Sequence, residues 1–269
     1  MQSMTKLLLA TLSRPARPYL RAHGLLQVTK AFNRSALVWE PGPERVVVLA
    51  PHMDDEVIGC GGTLARHVAC GATVTVVFLT DGRRGGRLDA DEQAQGLSLT
   101  EVRKREAHAA LADLGIGEPL FLDAEDGRLA AATGLETRLR ELLLAARPQI
   151  VYLPFLLEEH PDHRAVSALL ARAVSGTSLT FRCHGYEVWT PLFPNCFVRI
   201  DQTIETKRKA LLRYRSQLAD ADYLHAALGL SAYRSNALID RSCRFAEAFC
   251  ALPLPNYLEL CGAYGKAPV

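Results

Sequence analysis

Val46-Val47-Val48-Leu49-Ala50-Pro51-His52-Met53-Asp54-Asp55-Glu56 is an apolar run that stops on a proline and turns sharply polar. A β-branched run bounded by Pro reads as a core strand. Ligands of open α/β sheets bind outside the carboxyl ends of the strands. His52, Asp54 and Asp55 therefore stand where chemistry is done. An imidazole crowded by carboxylates in a buried place requires a hydrogen-bond network or a cation, because like charges repel there. A second apolar run, Ile150-Val151-Tyr152-Leu153-Pro154, leads to Glu159-His160-Pro161-Asp162-His163. Two strand ends thus carry complementary metal-ligand chemistry.

Around these two runs the chain alternates. Strand candidates are Val46–Ala50, Thr73–Leu79, Leu120–Leu122 and Ile150–Pro154, with helical stretches over Val57–Ala69, Leu99–Leu114 and Leu135–Ala146. That order predicts an α/β, Rossmann-like fold with a mainly parallel sheet and helices on both faces. Phe181–Trp189 and Phe197–Ile200 read as further strands, Glu205–Ser216 and Ser242–Phe249 as helices. Residues 1–40, with the short apolar run Leu7–Leu12 and Arg14, Arg17 and Arg21, read as a peripheral N-terminal extension. Residues 41–269 read as a single domain, since no linker or repeat divides them.

Composition removes several classes of function. The net charge of +2, without a basic block joined to aromatics, argues against nucleic acid as partner. No stretch approaches the ~20 apolar residues of a membrane span. Seven cysteines, an odd number with no CxxC pair, fit a reducing cytoplasmic compartment. The basic, leucine-bearing arm is compatible with a peripheral position on the inner face of a membrane.

Catalytic zinc takes three protein ligands and keeps a fourth position open. His52 and Asp55, three residues apart at a strand-to-helix turn, can face one point, and His163 from a distant loop can close the set. Asp54 is then free to serve as base. His160, one helical turn before His163, can stabilise an oxyanion or protonate a departing amine. Asp162 can orient one of the imidazoles. Alone, each cluster also suits a structural histidine or an Asp helix cap; their joint placement favours the metal. Gly59-Cys60-Gly61-Gly62 is not a phosphate cradle, because the preceding acids would repel a pyrophosphate. These glycines are expected to let a helix pass close to the sheet. No GxSxG is present, and acidic neighbours argue against Cys60 as a nucleophile.

Pro51–Ala65 (PHMDDEVIGCGGTLA) resembles the PHPDDE…GxGG signature of the LmbE-like, or PIG-L, N-acetylglucosamine deacetylases. Glu158–Val166 (EEHPDHRAV) resembles that family's HPDH motif. Thr80-Asp81-Gly82, Arg103–Glu106 before Leu114-Gly115, Asp126-Gly127 and Ala246-Glu247-Ala248-Phe249 are similar as well. The resemblance covers roughly residues 45–250 and implies an LmbE-like fold, a Zn2+ cofactor and removal of an N-acetyl group from an amino sugar or its conjugate. It implies His52, Asp55 and His163 as metal ligands, Asp54 as general base and His160 as the stabilising histidine. It further implies Arg83 and Asp126 as sugar-hydroxyl contacts, and leaves Arg103–Glu106 as a structural feature of a helix. Met53 replaces the commoner proline, and Glu158 stands where some members carry an assisting tyrosine. Other divalent metals can substitute for zinc at such a site. The expected partner is an N-acetylated amino-sugar substrate, with homo-oligomerisation open. Rival readings are a metal-dependent amidase of a non-sugar acyl amine or thiol conjugate, and a catalytically silent sugar-binding protein.

Overall fold

Strand β2 (Arg45–Ala50) sends Val46, Val48 and Ala50 to one core layer and Val47 and Leu49 to the other. A strand covered on both faces needs apolar residues at every position, which its sequence supplies. The computed structural model describes residues 37–265. Within them the other strands are β1 (Leu37–Val38), β3 (Thr73–Thr80), β4 (Leu120–Ala124), β5 (Ile150–Pro154), β6 (Arg182–Tyr186), β7 (Cys196–Arg199) and β8 (Ala246–Pro253). They form one sheet in the order β1-β7-β8-β6-β5-β2-β3-β4. All neighbours run parallel except β8, which is antiparallel to both β6 and β7.

Helices α1 (Asp55–Ala69), α3 (Leu99–Asp113), α6 (Ile204–Leu211) and α8 (Tyr223–Ser235) contribute to the core layer on one face. Helices α4 (Leu135–Ala146), α5 (Pro161–Val174) and α9 (Leu254–Gly265) pack on the other. Two short helices, α2 (Ala90–Ala94) and α7 (Arg215–Leu218), complete the set among the described residues. The expected Rossmann-like, mainly parallel architecture is present. None of the described helices is long and apolar enough to cross a membrane. The arm bearing Leu7–Leu12 and its arginines lies outside the described residues; Leu37–Val38, at the end of that stretch, pairs with β7.

Two expectations need correction. Ser242–Phe249 does not form a helix: Ala246–Pro253 is a buried strand between β6 and β7. Ala and Glu carry little β signal, and pairing on both sides makes this segment a strand. The stretch Glu205–Ser216 breaks between α6 and α7, where Tyr214 turns its hydroxyl onto the buried Glu56 carboxylate.

The glycines after the acidic motif do bring α1 against the sheet. A Cβ on Gly59 would lie 2.2 Å from Cδ2 of Tyr186 in β6, and one on Gly62 2.8 Å from Ile200. Gly59→Ala is therefore expected to destabilise, by about 1–3 kcal/mol of overpacking against a gain of at most ~1 kcal/mol in helix propensity. A Gly59→Ala protein that melts at or above the wild-type temperature would show that the contact relaxes freely.

A buried ion pair ties α1 to α6 and β8. Lys207 Nζ on α6 donates to Glu247 Oε1 on β8 at 2.6 Å and to the Ile58 carbonyl at 2.8 Å. Glu247 in turn accepts from the N–H groups of Gly62 (2.9 Å) and Thr63 (2.7 Å) within α1.

Candidate active site

The strand order reverses between β2 and β5: from β2 the sheet grows one way through β3 and β4, from β5 the other way through β6. Such a switch point parts the connecting helices and opens a crevice at the carboxyl edge. The turn after β2 brings His52, Asp54 and Asp55 to it, and the loop from β5 into α5 brings His160, Asp162 and His163. A cleft of about 440 Å³ results, lined among others by His52, Asp54, Asp55, Arg84, His160 and Trp189.

Three donor atoms form a near-equilateral triangle. His52 Nδ1 lies 3.3 Å from Asp55 Oδ2 and 3.3 Å from His163 Nε2, and His163 Nε2 lies 3.2 Å from Asp55 Oδ2. Donors about 2.0–2.1 Å from a tetrahedral ion are separated by roughly 3.3–3.4 Å. The two nitrogens and one oxygen thus suit a divalent cation in spacing and in chemistry. The His160 ring, with its centroid 4.8 Å from that of His52 and 4.9 Å from that of His163, stands beside this triangle.

Carboxylates orient the ligands from behind. His52 Nε2 faces Asp126 Oδ1 at 3.2 Å and Asp162 Oδ2 at 3.3 Å, which leaves Nδ1 for the triangle. Asp162 is itself held by the N–H groups of Gly127 (2.7 Å) and Leu129 (3.0 Å). His163 Nδ1 lies 3.5 Å from Oε2 of buried Glu158, at the outer limit of a hydrogen bond. Backing a ligand histidine by a carboxylate fixes its tautomer and raises its basicity. Asp162, expected to orient an imidazole, faces His52 Nε2. Asp126, expected as a sugar contact, lines the cleft but directs its carboxylate to His52 and to the Arg84 N–H. Glu158 was missed, because nothing local in the sequence says that its side chain turns inward.

Charge in the site is set by its carboxylates. Burial opposes charging of His52, yet Asp126, Asp162 and Asp55 outweigh it and raise its pKa well above the usual value. Burial likewise opposes a charge on His163, and Asp55 lifts it to about 9. Asp55 is held well below the carboxylate range: the two histidines overcome its burial. Asp54 goes the other way, pushed up to about 7 by burial and by the neighbouring Asp55 charge. Its backbone has φ 137° and ψ −30°, a conformation rare for a non-glycine residue. Glu56 Oε2 accepts the Asp54 N–H at 3.2 Å, and Arg103 donates to the Met53 carbonyl at 2.9 Å, so the turn is pinned from both sides. Strain of this kind persists only where the surroundings over-determine it, and it clusters at functional sites.

His160 caps α5, its Nδ1 accepting the Asp162 N–H at 3.2 Å. Burial and the two neighbouring histidines lower its pKa, so the ring is neutral at pH 7 and its proton resides on Nε2. It can donate a hydrogen bond without being an imidazolium.

Two further assignments differ from expectation. The Arg83 guanidinium pairs with Asp81 (Nε to Oδ2, 2.7 Å) and is not among the residues lining the cleft; Arg84 is. Arg103 and Glu106 do not serve their own helix. Arg103 Nη1 donates to the Gly82, Arg84 and Gly85 carbonyls, shaping the glycine-rich loop, and Glu106 accepts from Ser216 at 2.6–2.7 Å. The Cys60 thiol is driven far up by burial and is no nucleophile.

A switch-point α/β fold with a histidine–aspartate triangle, a strained aspartate and a flanking histidine defines a class: metal-centred enzymes built on the Rossmann-like sheet. Residues 47–174, just under half of the chain, match the family described as PIG-L, GlcNAc-PI de-N-acetylase. It is 28% identical to a diacetylchitobiose deacetylase from Thermococcus kodakarensis, over 66% of this chain and 71% of that one. It is 30% identical to a 1D-myo-inositol 2-acetamido-2-deoxy-alpha-D-glucopyranoside deacetylase from Actinosynnema mirum, over 52% of this chain and only 58% of that one. The crystal structure of a conserved protein from Thermus thermophilus superposes with a TM-score of 0.65 at 31% identity, covering 77% of this chain and 93% of the other.

Proposed function

We propose that this protein is a zinc-dependent deacetylase that releases acetate from an N-acetylglucosamine-type amino sugar or its conjugate. The observation that carries this reading is the donor triangle of His52, Asp55 and His163 with the Asp54 carboxylate beside it at the floor of one cleft. These three residues would hold the ion. A bound divalent cation supplies Lewis acidity there, for the attacking water and for the acetyl carbonyl.

The remaining steps belong to the chain. Asp54 takes a proton from water as the water oxygen attacks the acetyl carbon. The Nε2–H of His160 donates to the carbonyl oxygen as negative charge gathers on it. Asp54 then returns its proton to the nitrogen, the C–N bond breaks, and amine and acetate leave. Arg84 stands at the cleft wall as a contact for sugar hydroxyls, in place of the neighbouring Arg83, whose guanidinium pairs with Asp81. All seven cysteines are free thiols, which supports a cytoplasmic home.

The test is acetate release from a panel of N-acetylated sugars by zinc-loaded protein, with His52→Ala alongside. Wild type is expected to release acetate and retain one metal ion per chain. His52→Ala should lose both, because a site with two donors left binds weakly. A wild-type protein that retains no divalent ion through dialysis, and releases no acetate, would overturn the proposal.

A further inference from the structure

The strained turn at Asp54 is held by two side chains, and both holds end on one short segment. The first is Glu56, which is fully buried and not among the residues lining the cleft. Its Oε2 accepts the Asp54 N–H at 3.2 Å, and its Oε1 accepts the hydroxyl of Tyr214, itself 1% exposed. The second is Arg103, whose Nη2 donates to the Met53 carbonyl at 2.9 Å. With the Gln217 amide oriented by its neighbours, its oxygen accepts from Arg103 Nε at 2.8 Å and its nitrogen donates to Glu106 Oε2 at 3.3 Å. Tyr214 and Gln217 are three residues apart, at the break between α6 and α7 and within α7.

That segment is anchored independently of the turn. Ser216 donates its N–H and its hydroxyl to Glu106, and its carbonyl accepts the Arg87 N–H at 2.8 Å. It can therefore serve as a fixed post. Glu56 is a costly way to fill space, because a buried carboxylate must be desolvated and then satisfied. An apolar side chain would pack there without that cost. What the carboxylate adds is an acceptor for the N–H of a residue at φ 137°. Such a backbone persists only where its surroundings over-determine it.

We propose that Tyr214 is a positioning residue for the reaction: its hydroxyl, acting through the Glu56 carboxylate, holds the Asp54 turn where that carboxylate can reach the attacking water. This role rests on the deacetylase reading. Tyr214 and Glu56 both lie outside the cleft lining, so their effect falls on the rate and not on substrate binding. Displacing a reacting group by about 1 Å from a distance can cost about 10²-fold.

Tyr214→Phe removes one oxygen and leaves the ring packed. With zinc-loaded protein and the N-acetylated sugar turned over fastest, kcat is expected to fall about tenfold, with KM and metal retention against a chelator within about twofold. Glu56→Leu should lower kcat about 100-fold. Glu56→Gln should lose no more than about threefold, because its oxygen can accept the Asp54 N–H while its amide donates to the Tyr214 oxygen. Adding Tyr214→Phe to Glu56→Leu should cost nothing further, since the hydroxyl acts through the carboxylate. A residue that merely fills the core would lower the melting temperature without separating kcat from KM. Crystal structures of wild type and Tyr214→Phe read the turn apart from catalysis, and the Asp54 carboxylate should be displaced by about 1 Å in the variant. Wild-type kcat in Tyr214→Phe, equal losses in Glu56→Gln and Glu56→Leu, a further loss in the double variant, or an unmoved turn overturns the proposal. A turn that moves in the variant of a protein that releases no acetate supports the positioning role and defeats the deacetylase reading. Acetate release with the turn unmoved does the reverse.

Discussion

Asp54→Asn is expected to lower kcat about 10²- to 10⁴-fold, the usual contribution of a positioned general base, while metal content stays at the wild-type level. The substitution keeps size and shape, and asparagine is among the side chains that best tolerate positive φ. Metal is retained because the Asp54 carboxylate is no member of the His52–Asp55–His163 triangle. Base catalysis requires the ionised carboxylate, so activity should rise with pH through the pKa of this group. Burial and Asp55 push that value to about 7, and a cation nearby moves it down. The acid limb of kcat/KM should therefore fall at or below pH ~7 and belong to Asp54. Metal analysis, single-turnover rates and a pH profile check the three parts. Near-wild-type turnover in Asp54→Asn would remove the base assignment, and loss of the ion would make Asp54 a ligand instead.

Lys207→Met should destabilise the fold by about 3–5 kcal/mol, the range for stripping one partner from a buried ion pair. Methionine matches the length of the lysine stem, so packing is conserved and charge is what changes. Glu247 would keep two backbone donors, Gly62 and Thr63, but lose its cation Lys207, and the Ile58 carbonyl would lose a donor. Converting the pair to Lys207→Met/Glu247→Gln should recover part of the loss, because no uncompensated charge then remains inside. Urea unfolding of the single and double variants separates these contributions. A single variant within about 1 kcal/mol of wild type would mean that water reaches Glu247. The pair has a functional bearing: Gly62 and Thr63 lie in α1, whose first turn presents Asp55 and Glu56.

Much of this molecule was legible because its sequence is locally consistent. Helix α4 matches the expected Leu135–Ala146 to the residue, and β2 and β5 stand where their apolar runs place them. Strand β8 was not legible, since Ala246-Glu247-Ala248-Phe249 has no period-2 alternation and becomes a strand only between two partners. Glu247, quoted above merely as part of a motif, is the anion of a buried pair formed with a residue 40 positions away. Arg103 likewise looked like part of a helix face and proves to organise a loop some 20 residues before it.

The site divides in the same way. By itself the sequence determined the donor chemistry: a histidine and two aspartates at one strand end, two histidines and an aspartate at another, each placed by short-range rules of strand, proline and helix start. Tertiary structure alone decided which atoms converge. It turned His52 Nδ1 to the triangle by setting Asp126 and Asp162 behind Nε2, moved Arg83 aside in favour of Arg84, and brought Glu158 between His163 and Trp189. The contacts of His52 with Asp126 and Asp162, and of Glu158 with Trp189, join residues tens of positions apart, and their geometry follows from the twist and order of the sheet, which no local pattern encodes.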